Sequence, residues 1–212
     1  MVEQKSSLLT KGRMEQLSDG VFSIAMTLLA FQLASPALAA AKSEEQIIAA
    51  LGLLWPVLVS YAISFLALGL YWNSHHALGH FLERTDTRQL WLNLTFLFCV
   101  SLIPFSAGML GEKFGLRSAT VIYGVNLSAA SLMMFLSWRG ALDLRHLVQP
   151  GFDPASRLYI YRLHLGMTII YLAAAAVAFL SPVVSFWAYV LIALIHLGLQ
   201  LLAPVTERPS RV

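Results

Sequence analysis

Five stretches of this chain contain no Asp, Glu, Lys or Arg over lengths that no water-facing helix sustains: Gly20–Ala41, Gln46–Leu82, Gln89–Gly111, Ser118–Trp138 and Leu163–Thr206. Roughly 20 apolar residues in helical conformation cross the hydrocarbon core of a bilayer. Each stretch is therefore long enough for one crossing, and the last is long enough for two, with Ser181-Pro182 near its middle as a turn signal. The expectation is an all-α protein of six transmembrane helices with cores near 18–35, 47–72, 89–111, 117–138, 157–180 and 183–204, forming one domain over 1–212. Composition agrees. Hydrophobic residues make up 58% and charged residues 12% of the 212 positions, and the mean hydropathy is +0.71. Too few charges are present to cover a soluble surface.

The basic residues set an orientation. With six spans and an inner N-terminus, the inner segments hold Lys5, Lys11, Arg13, Arg84, Arg88, Arg139, Arg145, Arg157, Arg162, Arg208 and Arg211. The outer segments hold Lys42, Lys113 and Arg117, which completes the 14 Lys and Arg. Both termini are expected in the cytoplasm, and the net charge of +3 reflects topology rather than nucleic-acid binding. A cleaved signal peptide fits the first span poorly. Its apolar run exceeds the usual signal core, and Glu15 and Asp19 stand at its entrance. Cys99 is the sole cysteine. It excludes an intrachain disulfide and reads as a small packing residue. The longest polar connection, about Arg139–Arg162, is too short to fold a core of its own.

The first span has an unusual face. In "MEQLSDGVFSIAMTLLAFQL", Met14 to Leu33, helical spacing puts Gly20, Ser23 and Thr27 in one stripe. Ile24, Leu28 and Phe31 form an adjoining bulky ladder. Two readings fit this sector. Small residues let neighbouring helices approach closely, or the sector lines a narrow pore whose bulky ring repels water. Asp19 also has two readings. It is an acid favoured by the helix dipole near a helix start, with Ser18 as N-cap, or it belongs to a polar network with Arg13 as a partner.

"RMEQLSDGVFSIAMTLL", Arg13 to Leu29, resembles the signature of the transmembrane protein 175 family, the endolysosomal potassium channels and their bacterial relatives. That pattern is an Arg, three residues, then Phe-Ser-Asp leading into the first helix. Arg13, Ser18 and Asp19 match it, and Leu17 stands where the family has Phe. The likeness continues in "YWNSHHALGHFLERTDTRQLWLNLTFLFCVSLIPFSAGMLG", Tyr71 to Gly111, at Trp72, His75, His76, Asp86, Asn93, Pro104 and Phe105. Beyond Gly115 only the helix count carries it.

The resemblance implies a bacterial homotetramer whose first helices surround a central pore, conducting cations with a preference for potassium. It implies Ile24 as the hydrophobic constriction and Thr27 as a hydroxyl ring beside it, with potassium passing transiently near both. Leu28 and Phe31 would form further layers, and Phe31 is bulkier than the aliphatic residue expected there. Gly20 and Ser23 complete the pore sector. The Thr-Val-Gly-Tyr-Gly carbonyl filter does not occur in the sequence. Arg13, Ser18, Asp19, Trp72, His75, His76 and Asn93 would form a support network joining the first helix to the second and third. Between the two histidines, His76 is favoured. Permeant potassium is the only ligand implied, with no cofactor. The expected partners are further copies of the chain and the lipid of the cell membrane.

Other chemistries fit less well. His75, His76 and His80 form a cluster, but membrane di-iron enzymes need about eight histidines by their several-box pattern, and this chain has 6. His164 and His196 fall at similar depths near the inner ends of the last two helices, a spacing open to paired haem ligation or to ordinary hydrogen-bonded packing. No nucleophile elbow, phosphate loop or zinc-protease motif occurs, so no enzyme is expected. A proton-coupled transporter needs acids within the spans and matched broken halves, which this sequence lacks. Pro56, Pro104 and Pro182 fit span ends or kinks. A non-transporting scaffold has little loop surface to offer. The alternatives to a channel are thus a secondary transporter or a scaffold.

Overall fold

A computed structural model describes residues 11–143, 147–148 and 153–202. Lys5, Arg145, His146, Arg208 and Arg211 lie outside the described residues. The described chain is helical: α1 (Lys11–Ala30), a 3-10 turn (Phe31–Leu33), α2 (Pro36–Ala40), α3 (Glu44–Leu53), α4 (Trp55–Phe81), α5 (Thr87–Ser101), α6 (Ile103–Glu112), α7 (Arg117–Asp143), α8 (Pro154–Val177) and α9 (Pro182–Leu201). Six segments are long and apolar enough to cross a membrane: Lys11–Leu33, Trp55–Phe81, Thr87–Glu112, Arg117–Asp143, Pro154–Val177 and Pro182–Leu201.

Local chemistry sets the boundaries. Ser35, Ser43, Asp86, Asp153 and Ser181 each accept a backbone N–H three residues on, capping the helices that follow. Such a cap satisfies one of the orphan donors at a helix start. Proline opens α2, α4, α6, α8 and α9, where its missing N–H has no partner to lose.

The start of the second span differs from the sequence expectation for this reason. The uncharged window from Gln46 to Leu82 does not cross as 47–72. Pro56 ends α3 at Leu53 and starts α4 at Trp55, so the crossing helix is Trp55–Phe81. The third span is two helices, α5 and α6, meeting at Leu102 just before Pro104. The first helix also begins earlier, at Lys11, which puts Ser18 and Asp19 inside it rather than at its start. Ser18 is therefore not an N-cap.

α7 is central: it packs on α4, α5, α6, α8 and α9. Its buried face carries Tyr123, Leu127, Met134 and Trp138. Buried polar side chains pair across the helices. The Tyr71 hydroxyl donates to Leu127 O at 2.7 Å and lies 2.8 Å from Ser131 Oγ. Ser60 Oγ donates to Ala107 O at 2.7 Å, and the Tyr189 hydroxyl to Thr120 O at 2.9 Å. In hydrocarbon these groups have no water to fall back on. Gly111 lets α6 meet the α4 backbone, since a Cβ there would stand 2.8 Å from Val57 Cα. At the far end of α7, Asp143 joins Arg139 on its own helix and Arg157 of α8, at 3.3 and 2.6 Å.

Candidate ion pathway along the first helix

α1 sits at the side of the bundle and touches α4, α5 and α6. Its buried residues are Met14, Ser18, Phe22, Ala25 and Leu29. That spacing follows the 3.6-residue period, so one stripe faces the protomer. Phe22 fills the centre of the contact, its ring 5.9 Å from Phe96 and 6.2 Å from His75.

The opposite stripe is open. Gly20, Ser23, Ile24, Thr27, Leu28 and Phe31 are all exposed on the protomer, Ile24 to 62% and Phe31 to 69%. Ser23 Oγ and Thr27 Oγ1 donate to the carbonyls of Asp19 and Ser23, each at 2.8 Å. With their protons committed to the helix, both hydroxyls turn only acceptor lone pairs outward. That is the polarity a cation requires.

Polar contacts hold the N-terminal half of α1. Asn93 Nδ2 on α5 donates to Ser18 Oγ at 3.2 Å, and Ser18 Oγ donates to Met14 O at 2.9 Å. The other side of the Asn93 amide, Oδ1, lies 2.7 Å from His75 Nε2 on α4. An amide oxygen only accepts, so His75 carries its proton on Nε2. The His75 ring lies flat against Phe96, with centroids 5.8 Å apart and planes 6° from parallel. One turn away, Trp72 Nε1 donates to Asp19 Oδ1 at 3.0 Å.

This arrangement revises the expected network in two respects. The histidine bonded to Asn93 is His75; His76 instead stacks on Trp72, with ring centroids 5.4 Å apart. Arg13 is exposed and, among the described residues, forms no ion pair with Asp19. Asp86 does not join the network but caps α5, accepting Gln89 N at 2.7 Å. Among the described residues no group of three His, Cys, Asp or Glu is placed to hold a metal ion.

One residue at the other end of the helix carries no sequence signal. Gln32 Nε2 donates to Pro104 O at 2.5 Å. The Pro104 carbonyl lies in the first turn of α6, so the contact ties the 3-10 turn at the C-terminal end of α1 to the break between α5 and α6. A glutamine after an apolar run looks like any interfacial polar residue. Only its partner distinguishes it.

A multi-pass helical membrane protein results, in which one helix is held by polar contacts on its inner face and presents small and hydroxyl-bearing residues outward. Comparison with known proteins gives the family. Residues 13–104 match the model of the endosomal/lysosomal potassium channel TMEM175. A potassium channel of Streptomyces collinus is 32% identical over 201 residues, covering 92% of this chain and 96% of its own length. The TMEM175 protein of Rattus norvegicus, named an endosomal/lysosomal proton channel, is 32% identical over 155 residues, 68% of this chain but 31% of its own. The crystal structure of a lysosomal potassium-selective channel TMEM175 homologue from Chamaesiphon minutus superposes with a TM-score of 0.75. It has 26% identity and covers 89% of this chain and 96% of that one. The chain belongs to the TMEM175 family of ion channels, which are not enzymes.

Proposed function

We propose that the protein is a potassium-preferring cation channel in which four copies place α1 around a common axis. One observation carries this reading: the open stripe of α1 holds Gly20, Ser23 and Thr27 beside Ile24, Leu28 and Phe31, while the opposite stripe is packed and hydrogen-bonded into the protomer. Four Ile24 side chains meeting at the axis form the constriction, because a narrow aliphatic ring dewets. The Thr27 ring, one turn further out, presents acceptor oxygens that replace part of a cation's hydration shell. Leu28 and Phe31 add layers toward the outside. Potassium resides transiently near Thr27 and Ile24, and no bound cofactor is needed. Ser18, Asp19, Trp72, His75 and Asn93 keep α1 from rotating, so that the narrow stripe stays at the axis. The channel resides in the cell membrane with both termini in the cytoplasm, as the distribution of Lys and Arg favours.

Purified protein in liposomes provides the test. Electrogenic potassium flux without proton coupling supports the channel. Strict coupling to a proton gradient replaces it with a transporter, and absence of flux under every gradient leaves a scaffold. The name of the vertebrate relatives favours a second reading, in which the same path also passes protons. A pH-sensitive dye inside potassium-free liposomes distinguishes the two: acidification driven by a pH gradient adds protons to the permeant ions, and a flat trace removes them.

A further inference from the structure

A second feature lies away from α1, among α4, α7, α8 and α9. A cavity of about 140 Å³ opens there between the inner ends of the helices. Phe81 and Trp138 form one wall, their rings 6.3 Å apart, and Leu163 and Ala77 extend it. Asn73 and Gln200 stand at the cavity and are bonded to each other, Asn73 Nδ2 to Gln200 Oε1 at 2.9 Å. Gln200 Nε2 also donates to Ser74 Oγ at 3.0 Å. These amides therefore have their principal partners already.

His164 does not. It lines the cavity at 2% exposure, and its ring makes no hydrogen bond to any described residue. Its Nδ1 is sealed in the packing without a partner, which leaves Nε2 as the nitrogen turned to the cavity. An occupant can therefore bond Nε2, whereas Nδ1 stays unpaired whatever fills the cavity.

We propose that this cavity is a binding site for a small uncharged molecule built on one aromatic ring with a hydroxyl group, of phenol size. Three observations select that class. The volume matches that of apolar cavities that admit a single benzene ring, about 150 Å³. Among the described residues no Asp, Glu, Lys or Arg lines the site, so an ion would lose its hydration with no compensating charge from them. The aromatic wall accepts a ring, and a hydroxyl both donates and accepts, so it satisfies His164 Nε2 in either neutral tautomer. The site stands apart from the proposed pore and does not depend on what the channel conducts.

The test uses the full chain in lipid nanodiscs with 4-bromophenol as probe, since bromine quenches tryptophan fluorescence on contact. Saturable quenching is expected, and Trp138→Phe is expected to remove the saturable part. His164→Leu should weaken binding about tenfold, the loss of one buried hydrogen bond, while His164→Gln should stay within about threefold because a bond is retained. Should His164→Leu fail to assemble, Ala77→Leu narrows the cavity and should abolish saturation. Bromine density beside His164 in crystals grown with the probe would place the ring. Quenching that rises linearly and equally in wild type and variants, or density showing water alone in the cavity at saturating probe, would overturn the proposal.

Discussion

α1 and α9 are both 20-residue helices at the periphery of the protomer, yet they turn different chemistry outward. On α9 the exposed residues are Val183, Val184, Trp187, Leu191, Leu194, Ile195, Leu199 and Leu201, all bulky and apolar. Its polar side chains point inward: Ser185 Oγ donates to Ala174 O at 2.6 Å, the Tyr189 hydroxyl donates to Thr120 O, and His196 is buried. On α1 the hydroxyls of Ser23 and Thr27 and the bare backbone of Gly20 face out. A helix against lipid gains nothing from exposed hydroxyls, whereas a helix beside an ion or another copy does. α9 is the more apolar of the two helices, but mean hydropathy does not say which face of α1 stands open. The arrangement of the few polar groups does.

The largest expected effect breaks the comparison directly. Ile24→Asn should wet the narrowest ring and raise potassium flux severalfold in liposomes. The matching change on the other helix, Leu191→Asn, should leave flux per assembled channel unchanged. A silent Ile24→Asn in a protein that still assembles and conducts would remove Ile24 from the constriction.

Next in size is the inner tether. Asn93→Leu leaves His75 Nε2 without its partner, while Ser18 keeps its bond to Met14 O, and should destabilise the protein by about 1–3 kcal/mol, the cost of a buried group left unsatisfied, read as a lowered unfolding midpoint. His76→Ala should move that midpoint far less, because His76 only stacks on Trp72. Equal losses at the two positions would contradict the assignment of His75 to the network.

Thr27→Ala should act on discrimination, bringing the reversal potential in mixed potassium and sodium salts closer to that of a non-selective pore, with stability little changed. A reversal potential identical to wild type would count against a role for the hydroxyl ring. The smallest effect belongs to α9: Ser185→Ala removes one interhelical hydrogen bond and should cost about 0.6 kcal/mol, with no change in selectivity.

Much of the site is legible in one dimension because a helix converts spacing into direction. Gly20, Ser23, Ile24, Thr27, Leu28 and Phe31 share a sector by periodicity alone, and the structure leaves that sector open. The choice between His75 and His76 is not legible in the same way. Neighbouring residues on a helix point about 100° apart by its 3.6-residue turn, and which of them meets Asn93 depends on how α4 is rotated against α5. Gln32 is illegible for a related reason, since its partner is a backbone carbonyl on a helix far along the chain. The cavity beside His164 draws its walls from four helices, and no segment carries its signature.

The sequence by itself determined that the chain crosses a membrane as helices, how many times, and which residues of the first helix share one stripe, because burial of uncharged segments and helical periodicity act locally. Only the tertiary structure decided which histidine holds the first helix and where an imidazole is left without a partner. Those outcomes depend on how the helices are rotated against one another, which is settled only when segments distant in the chain pack together.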